Sequence, residues 1–181
     1  MKELAVEELE LNPHELFGKN WMALAAGTEE HGYNAMTIAW GHLGSIWAGK
    51  DRQGTMPTAI CYVRPSRYTK EFMDSEPYFS LNALAPERKR ALGYLGSHSG
   101  RDGDKLEAAD LTPAFDEADG GVMYLAEAEL VFVCRTLYHA PLVEEGFVDE
   151  GLVDLNYPER DFHEMYVGEI VRVLAADGAE A

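Results

Sequence analysis

The chain has 181 residues, 46% of them hydrophobic and 26% charged, with a formal net charge of −17. That length and balance suit one compact domain with its own core and exclude a disordered chain, while the acidic charge argues against general nucleic-acid binding and against docking on an anionic membrane. Met1 to Glu8 is acidic rather than a basic segment followed by an apolar one, so no secretory signal is expected, and no run reaches the roughly 18 apolar residues of a membrane span.

Residues 1–19 carry Leu4, Leu9, Leu11 and Leu16 among many acids, with Pro13 interrupting, and read as an N-terminal arm over the body. Trp21 to Ala26, a polar turn from Gly27 to Gly32, and Asn34 to Trp40 predict a hairpin. Ser45 to Trp47 and Met56 to Val63 continue the strand pattern around a turn from Gly49 to Gly54. Thr69 to Asp74 predicts a short helix with Ser66 placed to cap it, followed by a strand from Tyr78 to Leu84. Pro86 suits a first helical position, so Glu87 to Leu95 is expected to be helical and to end at Gly96, and Asp104 is placed to cap a short helix through Ala109. Residues 110–121 read as loop, Tyr124 to Tyr138 as one long strand bending around a barrel corner, 141–160 as loop, and Phe162 to Leu174 as the last strand, before a frayed tail at 175–181. Strands and helices do not alternate as βαβ units. The expected fold is therefore mainly β, an antiparallel barrel of six or seven strands with short helices at its rim, spanning 20–174.

Charge is unevenly spread. Arg64 to Lys105 holds eight of the fifteen Lys and Arg against six of the Asp and Glu. Within that quarter, Tyr62 to Lys70 packs Arg64, Arg67 and Lys70 with Ser66 and Thr69 into a strand end that runs into a helix start, stiffened by Pro65. Two readings fit: a cradle for phosphate or carboxylate, or surface ion pairs to Glu71, Asp74 and Glu76. In Asn34 to Trp40 (NAMTIAW), small Ala35 and Ala39 either let a flat ring approach the backbone or belong to an ordinary half-buried strand. Cys61 and Cys134 sit in apolar runs without a CxxC and read as buried reduced thiols, which favours a cytoplasmic location over a redox or metal role. Arg88, Lys89 and Arg90 read as a solvated helix face. No GxGxxG, P-loop, HExxH or GxSxG is present, and the six histidines have no metal-ligand spacing, so no metal is expected.

In order, NAMTIAW followed by GHLG, CYVRPSRYTKEF, YFSLNAL, GSHSGRDGDK and DFHEMYVGEI make the chain resemble the flavin reductase-like family of FMN-binding split barrels, including the flavoredoxins. The resemblance runs from about residue 20 to 174 and implies a homodimeric Greek-key split barrel holding FMN near the subunit interface. It implies a flavin ring against Asn34, Ala35, Met36 and Thr37, and a phosphate near Arg64, Ser66, Arg67 and Thr69. It further implies a ribityl chain along Ser80, Leu81 and Asn82, and a closing loop of Ser99, Gly100, Arg101 and Lys105. The implied activity is hydride transfer from NADH or NADPH to flavin and on to free flavin or a partner protein, the acidic balance favouring NADH. Such chemistry requires no side-chain nucleophile, so no catalytic acid or base is named. The alternatives are an FMN-holding electron-transfer module reduced only by another protein, and a split barrel that has lost flavin and binds a different anion.

Overall fold

The computed structural model describes residues 1–49 and 54–178. Ten strands form in chain order: β1 (Lys2–Leu4), β2 (Met22–Thr28), β3 (Gly32–Ile38), β4 (Gly41–Ala48), β5 (Thr55–Val63), β6 (Tyr78–Leu84), β7 (Pro113–Asp116), β8 (Val122–Leu125), β9 (Ala128–Pro141) and β10 (Glu164–Ala175). The helices are α1 (Thr69–Ser75), α2 (Lys89–Ser97), α3 (Lys105–Ala108) and α4 (Gly151–Asn156). The main sheet runs β3-β2-β6-β9-β10-β5-β4, and β1 joins β10. Every pairing is antiparallel, including the separate β7-β8 hairpin. The mainly antiparallel split barrel with short helices is thus present, its seven-stranded path extended by β1, which takes the edge of β10 at Val173–Ala175 after β5 has left it at Glu169.

Strand alternation builds two apolar layers. Met22, Leu24 and Ala26 of β2 point into the barrel with Phe79, Leu81, Phe132, Cys134 and Tyr166. Ala23 and Ala25 point outward, beneath Leu92 and Leu95 of α2 and Val122, Met123 and Leu125 of β8. The ladder of β9 and β10 shifts register at Val167/Gly168 and again at Ile170/Arg172, and such bulges bend a long strand pair around a barrel. Gly168 is required there because an added Cβ would meet the Phe79 ring at 2.7 Å and the Cys134 Cβ at 2.9 Å. The β2-β3 turn depends on Gly27 and Gly32, at φ 100° and 87°.

Four sequence expectations need correction. Ser66 does not cap α1: Tyr68 holds the N-cap position without a side-chain bond, and the corner is closed by Arg67 N–H donating to Arg64 C=O at 3.0 Å. Residues 110–121 contain β7, whose partner β8 comes from what reads as the start of one long strand. That strand breaks at Ala126 and Glu127, where Ala126 N–H donates to Thr112 C=O at 2.9 Å and the Glu127 carboxylate accepts from Thr112 N–H at 3.0 Å. The stretch 141–160 contains α4 and a single 3-10 turn at Glu144–Gly146. The Arg88–Arg90 face is solvent-exposed at Lys89 and Arg90, as expected, while Arg88 is half-buried and donates to Asp110 C=O at 2.8 Å, and Lys89 donates to Lys19 C=O at 2.7 Å and lies over the Trp21 ring. Asp104 caps α3 as expected, accepting from Leu106 and Glu107 N–H at 3.0 Å each. Residues 50–53 of the expected turn and 179–181 of the expected tail lie outside the described residues.

Candidate functional site

The two ends of the sheet path, β3 and β4, are consecutive in the chain, joined only by Ala39 and Trp40. This junction is the seam of the split barrel, and a cavity of about 130 Å3 opens on it, lined by Met36, Thr37, Ala39, Trp40, Tyr62 and Arg67, with Ile38, Arg64 and His163 completing the wall. A second cavity of about 210 Å3 continues from the same Met36 and Arg67, bounded by the corner Ser66–Thr69 on one side and by Leu95, Ser97–Ser99, Asp102 and Lys105 on the other. The strand-to-helix corner that looks like an anion cradle in the sequence is therefore one wall of a real cavity. The other wall is the loop between α2 and α3.

Lys105 dominates the electrostatics. It is only 6% exposed, and among the described residues it has no carboxylate within ion-pair distance. Its Nζ donates to Leu95 C=O and His98 C=O, both at 3.3 Å. Burial, with the neighbouring Arg67 charge adding to it, pushes Lys105 down to about 8. A buried ammonium satisfied only by two long bonds to carbonyls is costly, and an anion in the adjoining cavity relieves that cost. Ser66, Thr69, Ser97, Ser99 and Arg67 line the same space, Ser97 donating to Gly93 C=O at 2.9 Å and one Arg67 nitrogen to Gly96 C=O at 3.1 Å; the remaining guanidinium donors and the other three hydroxyls make a donor set that fits a phosphate, with Asp102 the one opposing charge.

The remaining residues named from the sequence divide between the walls of the two cavities and the framework behind them. Met36 and Thr37 line the seam, the Thr37 hydroxyl donating to Leu92 C=O. Asn34 is buried and donates to Thr69 Oγ1 at 2.7 Å, fixing β3 against α1, and Gly100 lies so close to Asn34 that a Cβ there would collide with its amide. Ala35 packs in the outer apolar layer. Arg64 borders the seam, but its guanidinium is engaged elsewhere: it pairs with Asp161 at 2.5 Å, donates to Asn156 C=O at 2.8 Å and lies over the Tyr157 ring. Arg101 pairs with Glu71 and covers the Tyr68 ring. Ser80, Leu81 and Asn82 line neither cavity. Leu81 faces the barrel core, Ser80 donates to Met123 C=O at 2.6 Å, and Asn82 bridges Ala23 C=O and Leu125 N–H at 3.2 and 2.9 Å.

Sequence reasoning missed Tyr62, Trp40 and His163 as lining residues, although all three lie inside the quoted motifs. His163 Nδ1 lies 2.9 Å from the Tyr157 hydroxyl, and burial together with the Arg64 charge lowers it to about 4, so it faces the seam neutral at pH 7. Both cysteines are free and buried, and burial pushes their thiols up. Asp74, His139 and Glu164 lie close together, but Lys70 Nζ sits 2.7 Å from both Asp74 and Glu164 and fills the space between these carboxylates. Among the described residues no helix is long and apolar enough to cross a membrane.

Residues 54–181 match the family model described as flavin reductase like domain. No curated protein matches the sequence. Among solved structures, the flavoredoxin from Methanosarcina acetivorans superposes with a TM-score of 0.64 at 20% identity, covering 90% of this chain and 71% of that one. The FMN-binding protein from Thermus thermophilus with bound 1-cyclohex-2-enone gives 0.63 at 20% identity, over 98% and 82% of the two chains. The Streptomyces globisporus NADH:FAD oxidoreductase in complex with NAD and FAD fragments gives 0.60 at 14%, over 89% and 78%.

Proposed function

The chain belongs to the flavin reductase like domain family, and from that premise we propose that it binds FMN at the barrel seam and passes a hydride from NADH or NADPH to the flavin and on to an acceptor. The observation that carries this proposal is Lys105, a buried cation without a carboxylate partner among the described residues, beside Arg67 and four hydroxyls in one cavity. Lys105 and Arg67 would hold the FMN phosphate, with Ser66, Thr69 and Ser99 as further donors, each charge-assisted bond contributing about 1.5–3 kcal/mol. The seam cavity that shares Met36 and Arg67 is the space for the ring, bounded by Thr37, Trp40, Tyr62 and the neutral His163. Together the two cavities fall at the low end of the range of small-molecule sites, about 300–1,000 Å3. FMN supplies the hydride-accepting chemistry when bound. The chain supplies orientation and counter-charge for the phosphate.

Free flavin and a redox partner protein are both candidate acceptors on the family resemblance. A homodimer belongs to the same proposal: β4 is an edge strand whose Ile46 and Trp47 are exposed, and the Trp47 ring lies 6.4 Å from that of exposed Tyr138. Two buried free thiols support a cytoplasmic location. Anaerobic mixing of FMN-loaded protein with NADH and then NADPH tests the activity: the visible flavin band bleaches with at least one of them. A band that persists with both removes the reductase assignment. It then favours the electron-transfer module, which the net charge of −17 also supports by repelling an anionic nucleotide.

A further inference from the structure

A third cavity, of about 700 Å3, adjoins the seam and shares Ala39, Trp40 and Tyr62 with it. Its walls come from four parts of the chain: Phe17 of the N-terminal segment, Leu43 of β4, Leu142 after β9, and Phe147, Leu152 and Tyr157 in and around α4. Among the described residues fifteen line it, and none is Lys, Arg, Asp or Glu, in a protein of which 26% is charged. A phosphate or pyrophosphate placed there would be partly desolvated without the permanent counter-charge of a Lys or Arg, the ionisable groups of the wall being His14, His42 and two tyrosines. Aromatic and aliphatic walls favour a flat apolar molecule instead.

We propose that this cavity binds the terminal electron acceptor and that the acceptor is an uncharged aromatic molecule of the quinone class. The inference rests on the FMN assignment, because only a flavin in the seam makes the neighbouring cavity a place where electrons arrive. The step balances as NAD(P)H and one solvent proton giving two hydrogens to the two quinone oxygens: the quinone becomes the hydroquinone, and the nicotinamide nucleotide is oxidised to NAD(P)+. The walls explain the selectivity. A free flavin mononucleotide carries a phosphate, and this cavity offers it no Lys or Arg, only the exposed His14 and His42.

The test compares menadione with its 3-sulfonate, a flat quinone of the same ring system that carries a charge, each titrated into the FMN-loaded protein, so that the seam is filled, and followed by tryptophan fluorescence, since Trp40 lines the cavity. Menadione is expected to quench saturably and to bind at least tenfold more tightly than the sulfonate. Leu152→Asp, at a position 44% exposed on α4 and outside both cavities assigned to FMN, is expected to weaken menadione at least tenfold and leave FMN affinity unchanged. Equal binding of the two quinones, or menadione binding indifferent to Leu152→Asp, overturns the proposal. So does a dimer by sedimentation that excludes menadione, because a second copy of the chain then fills the cavity. An FMN absorbance titration of the same samples separates the two assignments. Retained FMN with no quinone binding removes only the acceptor site, whereas wild-type protein that binds no FMN removes both.

Discussion

Replacing Lys105 by Met distinguishes a residue kept for a ligand from one kept for the fold, because the two roles predict opposite outcomes. The Lys105 ammonium is held down to about 8 from an ordinary 10.5, so carrying its charge at pH 7 costs the FMN-free protein on the order of 3 kcal/mol. Its compensation is two bonds at 3.3 Å to Leu95 and His98 C=O, each contributing about 0.5–1.5 kcal/mol. Met fills a similar volume without the charge. The variant is therefore expected to be as stable as the wild type or more so, by about 0–2 kcal/mol in urea denaturation, and to bind FMN at least tenfold more weakly. The folded value lies below the unfolded one, so the unfolded chain binds more protons between pH 8 and 10.5, and stability of the FMN-free protein rises with pH across that window. The Lys105→Met variant loses that rise. FMN affinity of the wild type falls as pH rises above about 8, by up to tenfold per pH unit. A variant more than about 2 kcal/mol less stable that binds FMN as tightly as the wild type refutes this account of Lys105.

Arg64 and Arg67 are predicted to part company. Arg67→Ala lowers FMN affinity at least tenfold with little change in stability, whereas Arg64→Ala, which loses Asp161, Asn156 C=O and the Tyr157 ring, costs about 1–2 kcal/mol of stability and changes FMN affinity less, as denaturation and FMN titration would read. Gly168→Ala is expected to destabilise by about 1–3 kcal/mol, because neither the Phe79 ring nor Cys134 Cβ has room to retreat in the barrel core; an unchanged denaturation midpoint would contradict this. His163 is depressed to about 4, so between pH 6.5 and 4 the unfolded chain binds the extra proton and stability falls as pH drops. His163→Gln should flatten that slope, and NMR titration of the wild-type ring should show no protonation near pH 6.5.

Local chemistry carries far in this chain. Strand β6 runs from Tyr78 to Leu84, the bounds expected from its alternation after Pro77. The Asp104 cap and the strand-to-helix corner at Arg64–Thr69 were legible because capping and corner chemistry act over a few residues. What escaped depends on distant partners. Ala126 and Glu127 carry no Gly or Pro turn signal, and the break between β8 and β9 exists because Thr112, fourteen and fifteen residues earlier, bonds to both. Ser80 and Asn82 look like free polar groups on a strand, yet β8 lies over them and takes up their hydrogen bonds. Arg64 and Arg67 are indistinguishable in sequence. Only the position of α4 and Asp161 shows that the first is occupied elsewhere. Lys105 reads in the sequence only as part of a closing loop, and its burial follows from α3 packing against α2, a contact between segments whose spacing in the chain does not reveal it.

The central claim is that the cavity between the Arg64–Thr69 corner and the α2–α3 loop holds the phosphate of FMN, and titrating the protein with FMN and with riboflavin in phosphate-free buffer tests it most directly. The two ligands share the ring and differ only in the phosphate that Lys105 and Arg67 would hold. FMN binding at least tenfold tighter than riboflavin, with the difference abolished by Lys105→Met, is the predicted result. Equal affinities, or binding of neither ligand, would contradict it.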